Sequence, residues 1–309
     1  MKTYSDIHEF KPVKNAVVTI GTFDGVHIGH QQIIARLKES AAELDGETVI
    51  LTFFPHPRMI LHPEDQNLKL ITTIQEKTAL LENLGVDHLI ITPFTRDFSN
   101  LSADEYIKQI LVEKIGIRKI IIGYDHRFGK NREGSVADLN RLASVYHFEV
   151  EVIPEQDIRE VAVSSTKIRE AVLSGNVATA QEFLGHPFSL NGKVIRGDQI
   201  GRKMGYPTAN LFVEEPYKLI PSDGIYAVNV LVKGETFGGM AYIGHRPTVN
   251  GMSRNIEVNI FGFDQEIYGQ KIQLDFLAYI RGDQKFNSLE ELQAQLGKDQ
   301  EAALAILKS

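Results

Sequence analysis

From residue 16 to about residue 184, short apolar runs alternate with segments in which apolar residues recur every three to four positions. AVVTI (16–20), TVILTFF (48–54), HLIITPF (88–94), RKIIIGY (118–124) and FEVEVIP (148–154) read as strands. Near-continuous apolarity of this kind suits strands covered on both faces of a parallel sheet. The segments between them, QQIIARLKESAAELDG, TIQEKTALLENLG, ADEYIKQILVEKIG and VADLNRLASVYH, read as helices that close on Gly or His before the next strand. Strand–helix alternation predicts a doubly wound, Rossmann-like α/β domain with right-handed crossovers. Its ligand site belongs at the carboxyl ends of the strands.

The pattern changes near residue 185. After STKIREAVLSGNVATAQEFLG come period-two segments, GKVIRG, GIYAVNVLVKG, TFGGMAYIG, NIEVNIFGF and KIQLDFLAYI, separated by Gly, Pro, Asp and Asn. Helical spacing returns only in SLEELQAQLGKDQEAALAILK. Short strands followed by one helix predict a small closed β-barrel, because closure removes exposed strand edges. The expected domains are therefore 1–184 and 185–309.

Composition narrows the partners. A formal net charge of −7 over 309 residues disfavours a protein that grips a nucleic-acid backbone, which needs clustered Lys and Arg. The absence of Cys excludes disulfides, thiolate nucleophiles and Cys-based zinc sites, and fits a reducing compartment. The N-terminus lacks an apolar leader core, and no apolar stretch reaches membrane-spanning length. A cytoplasmic enzyme of small molecules is expected, with no nucleic-acid or membrane partner; self-association is left open.

The segment Gly21-Thr22-Phe23-Asp24-Gly25-Val26-His27-Ile28-Gly29-His30 follows the first expected strand and opens the first helix. Its glycines allow a tight turn and close approach of backbone to ligand, and the helix start offers free N–H groups to phosphate. His27 and His30, three residues apart, can donate to phosphate oxygens where charge builds during nucleotidyl transfer. The other reading, an incidental pair or a metal site, is weaker given the strand–turn–helix setting.

HIGH resembles the HxGH signature of the nucleotidyltransferase superfamily, and GTFDGVHIGH resembles the FMN-adenylyltransferase module of bacterial riboflavin kinase/FAD synthetases. Thr52-Phe53-Phe54-Pro55-His56-Pro57, Gly123-Tyr124-Asp125-His126-Arg127-Phe128-Gly129 and Ser164-Ser165-Thr166-Lys167-Ile168-Arg169 are similar to further segments of that module. His126 stands where the family often has Phe. The resemblance implies that Gly21, Phe23, Asp24, Gly29, Asp125, Arg127, Ser165, Thr166 and Arg169 contact nucleotide or flavin, with His27 and His30 catalytic. Ser165 or Thr166 can cap the following helix, and Arg169 offers a fork for phosphate oxygens. FMN brings its own anionic phosphate, so adenylyl transfer asks for positioning and charge stabilisation rather than a base.

In the second half, Gly201-Arg202-Lys203-Met204-Gly205-Tyr206-Pro207-Thr208-Ala209-Asn210-Leu211 resembles the GRxxGxPTAN signature of riboflavin kinases. Thr208 and Asn210 point the same way if the segment is extended, and such hard oxygens suit Mg²⁺ beside nucleotide phosphates. The resemblance implies that Gly201, Lys203, Gly205, Pro207, Thr208 and Asn210 hold ATP and its Mg²⁺. Glu257, in Asn255-Ile256-Glu257-Val258-Asn259, matches the family's catalytic glutamate. Riboflavin attacks through a neutral hydroxyl, for which a base is useful. The expected activity is phosphorylation of riboflavin to FMN by ATP, then adenylylation of FMN to FAD with release of pyrophosphate. An aminoacyl-tRNA synthetase would need a KMSKS-like loop and a basic anticodon-binding region, and the sequence has neither. A flavin sensor without turnover is disfavoured by the presence of His27, His30, Asn210 and Glu257.

Overall fold

The structure is a computed structural model. It describes residues 1–64, 68–154, 163–197, 201, 204–248 and 251–308, with the backbone alone of 246–248 and 251–253. The strands are β1 (Lys2–Tyr4), β2 (Ala16–Ile20), β3 (Thr48–Phe53), β4 (His88–Thr92), β5 (Ile117–Gly123), β6 (Glu149–Ile153), β7 (Phe188–Ile195), β8 (Ala209–Phe212), β9 (Gly224–Val232), β10 (Glu235–Thr248), β11 (Gly251–Ile260) and β12 (Lys271–Arg281). The α-helices are α1 (Ile28–Glu43), α2 (Pro57–Leu61), α3 (Ile74–Asn83), α4 (Arg96–Ser99), α5 (Ala103–Glu105), α6 (Val136–Tyr146), α7 (Ser165–Leu173), α8 (Val177–Leu184) and α9 (Leu289–Leu307).

The first half is the expected α/β domain. Its sheet runs β1-β4-β3-β2-β5-β6, with every pairing parallel. Successive residues of the central strands feed opposite faces: Val18, Val49, Leu51, Ile120 and Ile122 enter one cluster, Val17, Ile50 and Ile121 the other. Both faces being covered explains the unbroken apolar runs. The chain steps outward from β2 through β3 and β4, then returns to the other side of β2 as β5. The β2/β5 boundary is therefore the switch point, and the loops after these two strands flank the crevice where open α/β sheets generally bind ligands.

Local chemistry sets the helix ends. Thr73 and Glu76 form a reciprocal capping box at the start of α3, with bonds of 3.1 and 2.8 Å. The segment ADEYIKQILVEKIG is a single turn of α5 followed by a π-helix over Tyr106–Ile115, ending on Gly116 at φ +69°. The three-to-four spacing of its apolar residues does not distinguish π from α winding.

The second half is the expected barrel, closed in the order β10-β11-β8-β7-β12-β9. The helix α9 lays Leu296, Ala303 and Ile306 against Ala227, Met240, Phe261 and Ile280. Packing divides the chain at Ser164/Ser165, earlier than the change of hydrophobic pattern at 185. Helices α7 and α8 go with the barrel because α8 packs on β7 and β12, and Ser222 N–H donates to the Val172 carbonyl at 3.3 Å. Leu70–Thr72 also belong to this second unit. Leu70 is bridged to Lys218, whose buried ammonium donates to the Ile71 carbonyl at 2.6 Å and lies 4.7 Å from the Phe188 ring centre.

Candidate active sites

Beyond β2 the backbone bends sharply. Phe23, Gly25 and Val26 all have positive φ, at +47°, +87° and +42°. That region is open to glycine but strained for Phe and for β-branched Val, and such strain persists where surrounding packing fixes the turn. Phe23 is buried against the His30 ring, with centres 5.0 Å apart, and a Cβ on Gly21 would stand 3.1 Å from that phenyl ring. The Thr22 carbonyl accepts from Thr52 Oγ1 at 3.3 Å and from Lys77 Nζ at 2.6 Å.

His27 caps α1: its Nδ1 accepts the His30 backbone N–H at 3.4 Å. In a neutral ring, the proton then sits on Nε2 and is free to donate to a ligand. The two imidazoles stack with centres 3.6 Å apart and planes 16° apart. Burial pushes the His27 pKa down to about 4, against the opposing charge of Asp24. Burial also drives His30 well below its usual range, with His27 and Lys77 adding to the shift. Both rings are therefore neutral near pH 7. They can donate hydrogen bonds to phosphate but bring no charge.

The loop after β5 keeps Asp125 and Arg127 exposed and turns His126 inward against Phe128, at 5.9 Å between ring centres. Phe128 in turn meets Tyr106 at 5.4 Å, and Tyr106 meets Phe98 at 5.9 Å. Phe98, Phe94 and Phe53 complete a continuous aromatic run beyond the carboxyl ends of β3, β4 and β5. Among the described residues, His126 Nε2, Tyr106 OH and Thr92 Oγ1 are buried polar atoms without a hydrogen-bond partner. His56 caps α2 by accepting the Arg58 N–H at 3.1 Å. Ser165 and Thr166 stand in the first turn of α7, which begins one residue earlier than a cap at Ser165 requires, and Arg169 follows one turn on. These three residues lie in the second compact unit, whereas His27 and His30 lie in the first.

Burial lowers the His126 pKa to about 4, helped by Arg132 and opposed by Asp125. The unfolded chain takes up this proton near pH 6.5 and the folded chain only near 4, so stability falls as pH drops between those values. His126→Phe removes that proton uptake. It is expected to stabilise the protein by about 2 kcal/mol more at pH 5 than at pH 8. Urea unfolding at the two pH values reads the difference, and equal effects at both would assign the change to packing alone.

In the barrel, β8 pairs with β11 so that Asn210 faces Glu257. Along β11, Ile256, Val258 and Ile260 are buried while Asn255, Glu257 and Asn259 share the other face. Glu257 Oε2 accepts from Thr208 Oγ1 at 2.8 Å and Oε1 accepts from Asn255 Nδ2 at 2.6 Å. The three expected residues Thr208, Asn210 and Glu257 therefore converge. Asn259 Nδ2 donates to the Pro207 carbonyl at 2.7 Å and fixes the approach to β8. The turn before it is tight: Met204 and Tyr206 N–H both donate to the Gly201 carbonyl, and a Cβ on Gly201 would meet the Tyr206 carbonyl at 2.3 Å. Gly205 has φ +83°. Lys203 lies outside the described residues. A 520 Å³ cavity adjoins Pro207 and Thr208, with Arg196, Asp264, Glu266 and Tyr268 on its walls. That volume suits a nucleotide-sized ligand.

The two halves match two families in chain order: FAD synthetase over residues 10–167 and riboflavin kinase over 184–307. A bifunctional riboflavin kinase/FMN adenylyltransferase of Listeria monocytogenes is 39% identical over 93% of this chain and 91% of its own length. The protein of the same name from Escherichia coli K12 is 36% identical over 97% and 96%. The chain belongs to the bifunctional riboflavin kinase/FMN adenylyltransferase family. A crystal structure described as a macrolide-efflux protein from Streptococcus pneumoniae has the same fold, with a TM-score of 0.87 and 31% identity over 98% of both chains. Among the described residues no helix of this chain is long and apolar enough to cross a membrane.

Family membership accounts for both halves. The chain is a bifunctional enzyme with a riboflavin kinase and an FMN adenylyltransferase activity. The geometry adds residues that motif reading passed over, Lys77 beneath the Gly21–Gly29 turn and Phe94, Phe98 and Tyr106 in the aromatic run, and gives Asn259 a partner in the Pro207 carbonyl.

Proposed function

We propose that the two activities are divided between the halves, with adenylyl transfer assigned to 1–184 and riboflavin phosphorylation to 185–309. The observation that carries this reading is the convergence of Glu257, Thr208 and Asn210 beside a nucleotide-sized cavity, in a unit separate from the stacked His27/His30 pair.

For the kinase step, Glu257 takes the proton of the riboflavin hydroxyl as its oxygen bonds to the γ-phosphorus of ATP, and ADP departs. The Thr208 hydroxyl donates a hydrogen bond to Glu257, so the lone pairs of its oxygen stay available, and the Asn210 amide is close by on the neighbouring strand. These hard oxygens fit Mg²⁺, which, when bound with ATP, would neutralise phosphate charge. Gly201, Lys203, Gly205 and Pro207 are assigned to the loop that covers the nucleotide.

For adenylyl transfer, a phosphate oxygen of FMN attacks the α-phosphorus of ATP and pyrophosphate leaves. Nε2–H of His27, the ring of His30 and the free N–H groups opening α1 at Gly29 are assigned to the charge that develops. Gly21, Phe23 and Asp24 shape the turn. Asp125 and Arg127 are assigned to ligand contacts at the switch point. Ser165, Thr166 and Arg169 are assigned to nucleotide phosphates on the family resemblance. The aromatic run from Phe53 to Phe128 is an apolar platform on which a flavin ring can stack. Riboflavin, FMN and ATP are the ligands, the setting is the cytoplasm, and self-association is decided by light scattering under turnover.

Chromatography of products from riboflavin, ATP and Mg²⁺ tests the reading. FMN is expected first and FAD after it. FMN that never proceeds to FAD would remove the adenylyltransferase assignment, and no phosphorylation would remove the kinase assignment.

A further inference from the structure

Lys77 projects from α3 into the floor of the turn after β2, and only 3% of it is exposed. Burying an ammonium costs several kcal/mol unless it is compensated. Among the described residues its hydrogen bond is to the Thr22 carbonyl at 2.6 Å, one acceptor for a group with three donors. Among the described residues, the charged and titratable groups coupled to it are Asp24 on the same turn and His30 at the start of α1, on which the His27 ring stacks. Burial makes both imidazoles neutral, so the hydrogen-bond donors that face a phosphate at this site carry no charge of their own. His30 Nδ1, buried beside Lys77, has no hydrogen-bond partner among the described residues.

An adenylyl transfer builds negative charge on the α-phosphate and on departing pyrophosphate. Neutral donors stabilise it, but a cation in a water-excluded floor acts over a longer range, because Coulomb energy falls only as the inverse of distance and of local dielectric. We propose that Lys77 is the fixed cation of the adenylyl-transfer site, anchored on the Thr22 carbonyl beneath the Gly21–Gly29 turn and directed at the phosphate charge of the reacting nucleotide. The inference rests on the reading of the first unit as the adenylyltransferase. It goes further by separating two kinds of work, hydrogen bonding by His27 and His30 and charge compensation by Lys77.

A purely structural role, tying α3 to the turn, is the competing explanation, and substitution can separate the two. Lys77→Gln keeps an N–H donor for the Thr22 carbonyl and removes the charge. Lys77→Arg keeps the charge. The full chain is assayed for FAD formation from supplied FMN and ATP, with melting curves to confirm folding and riboflavin phosphorylation as an internal control. Lys77→Gln is expected to lower kcat/KM for adenylylation about 100-fold, with kinase activity and melting unchanged. Lys77→Arg is expected to recover most of the loss.

The pH profile gives an independent readout. Burial lowers the Lys77 pKa to about 8, against the attraction of Asp24. In free wild-type enzyme, kcat/KM should therefore fall above pH 8, and Lys77→Arg should carry the plateau to higher pH. Adenylylation by Lys77→Gln within threefold of wild type would overturn the proposal in favour of the structural role. A folded Lys77→Arg as slow as Lys77→Gln would overturn it as well, since charge would then not matter. Wild-type enzyme that phosphorylates riboflavin but never adenylylates FMN would remove the reading beneath it, and the proposal with it.

Discussion

Glu257→Gln is expected to cut riboflavin phosphorylation by about 10²- to 10⁴-fold, the usual worth of a positioned general base, while FAD formation from supplied FMN continues. Glutamine matches glutamate in shape, and its amide oxygen can still accept the Thr208 hydroxyl that Oε2 accepts at 2.8 Å. It cannot receive a proton, and its Nε2 replaces the oxygen that accepts from Asn255 at 2.6 Å, so the Asn255 amide has to flip and accept instead. The pairing of β8 with β11, which sets Asn210 opposite position 257, is backbone hydrogen bonding and survives the change. A loss in kcat without a matching rise in KM for riboflavin would identify a missing transition-state interaction rather than lost binding. The reciprocal variant, His30→Ala, is expected to stop the sequence at FMN. If Glu257→Gln kept a tenth or more of the kinase rate, the carboxylate would be a positioning group for Thr208 and the base would have to be sought elsewhere. If either variant removed both activities, the assignment of one site to each half would fail.

The strands and helices of both halves were legible because their periodicities differ: unbroken apolar runs against three-to-four spacing first, then strict alternation. Legibility failed where the deciding partner lay far along the chain. The strand β1 is only three residues long and is held by parallel pairing to β4, 86 positions on from Lys2 to His88, so no local pattern announces it. The π winding of Tyr106–Ile115 has the same apolar spacing as an α-helix. The motif residues Thr208, Asn210 and Glu257 could be named from the sequence, but their meeting depends on β8 lying beside β11, which is a matter of barrel order. A subtler signal was available and unread. Ile74, Lys77, Leu81 and Leu84 follow the three–four–three spacing of a buried helix stripe, with a cation in the stripe. Leu296, Asp299, Ala303 and Ile306 repeat that spacing with an anion in it. A charge in an apolar stripe implies a buried partner, and for both residues the structure supplies one.

Asp299 makes the stronger energetic case. It is 1% exposed, and its two oxygens accept from Arg281 Nε at 2.8 Å and Nη2 at 2.7 Å, with Gln295 Nε2 adding a third bond at 2.9 Å. Planar two-point pairing of this kind is the strongest ion-pair geometry a protein offers. Removing one partner of a buried pair leaves the other desolvated and uncompensated, so Asp299→Ala is expected to destabilise the barrel unit by about 3–5 kcal/mol. Among the described residues Arg281 would retain only the Gly282 carbonyl at 2.9 Å and the face of Phe286 at 5.8 Å. The consequence should reach the proposed kinase site, because the same helix touches the loop assigned to the nucleotide: Gln293 Nε2 donates to the Met204 carbonyl at 3.2 Å, and the Tyr206 hydroxyl stands 3.5 Å from where a Cβ on Gly297 would lie. Calorimetry should show a lowered barrel transition, and riboflavin phosphorylation should lose its activity at a lower temperature than adenylylation of supplied FMN. The pair itself need not be net stabilising. Replacing both members together, Arg281→Met with Asp299→Leu, is expected to recover most of the melting temperature, since well-packed apolar residues often equal a buried ion pair. An Asp299→Ala protein that melts with wild type would show that water enters to solvate Arg281, and that α9 is held by its apolar stripe alone.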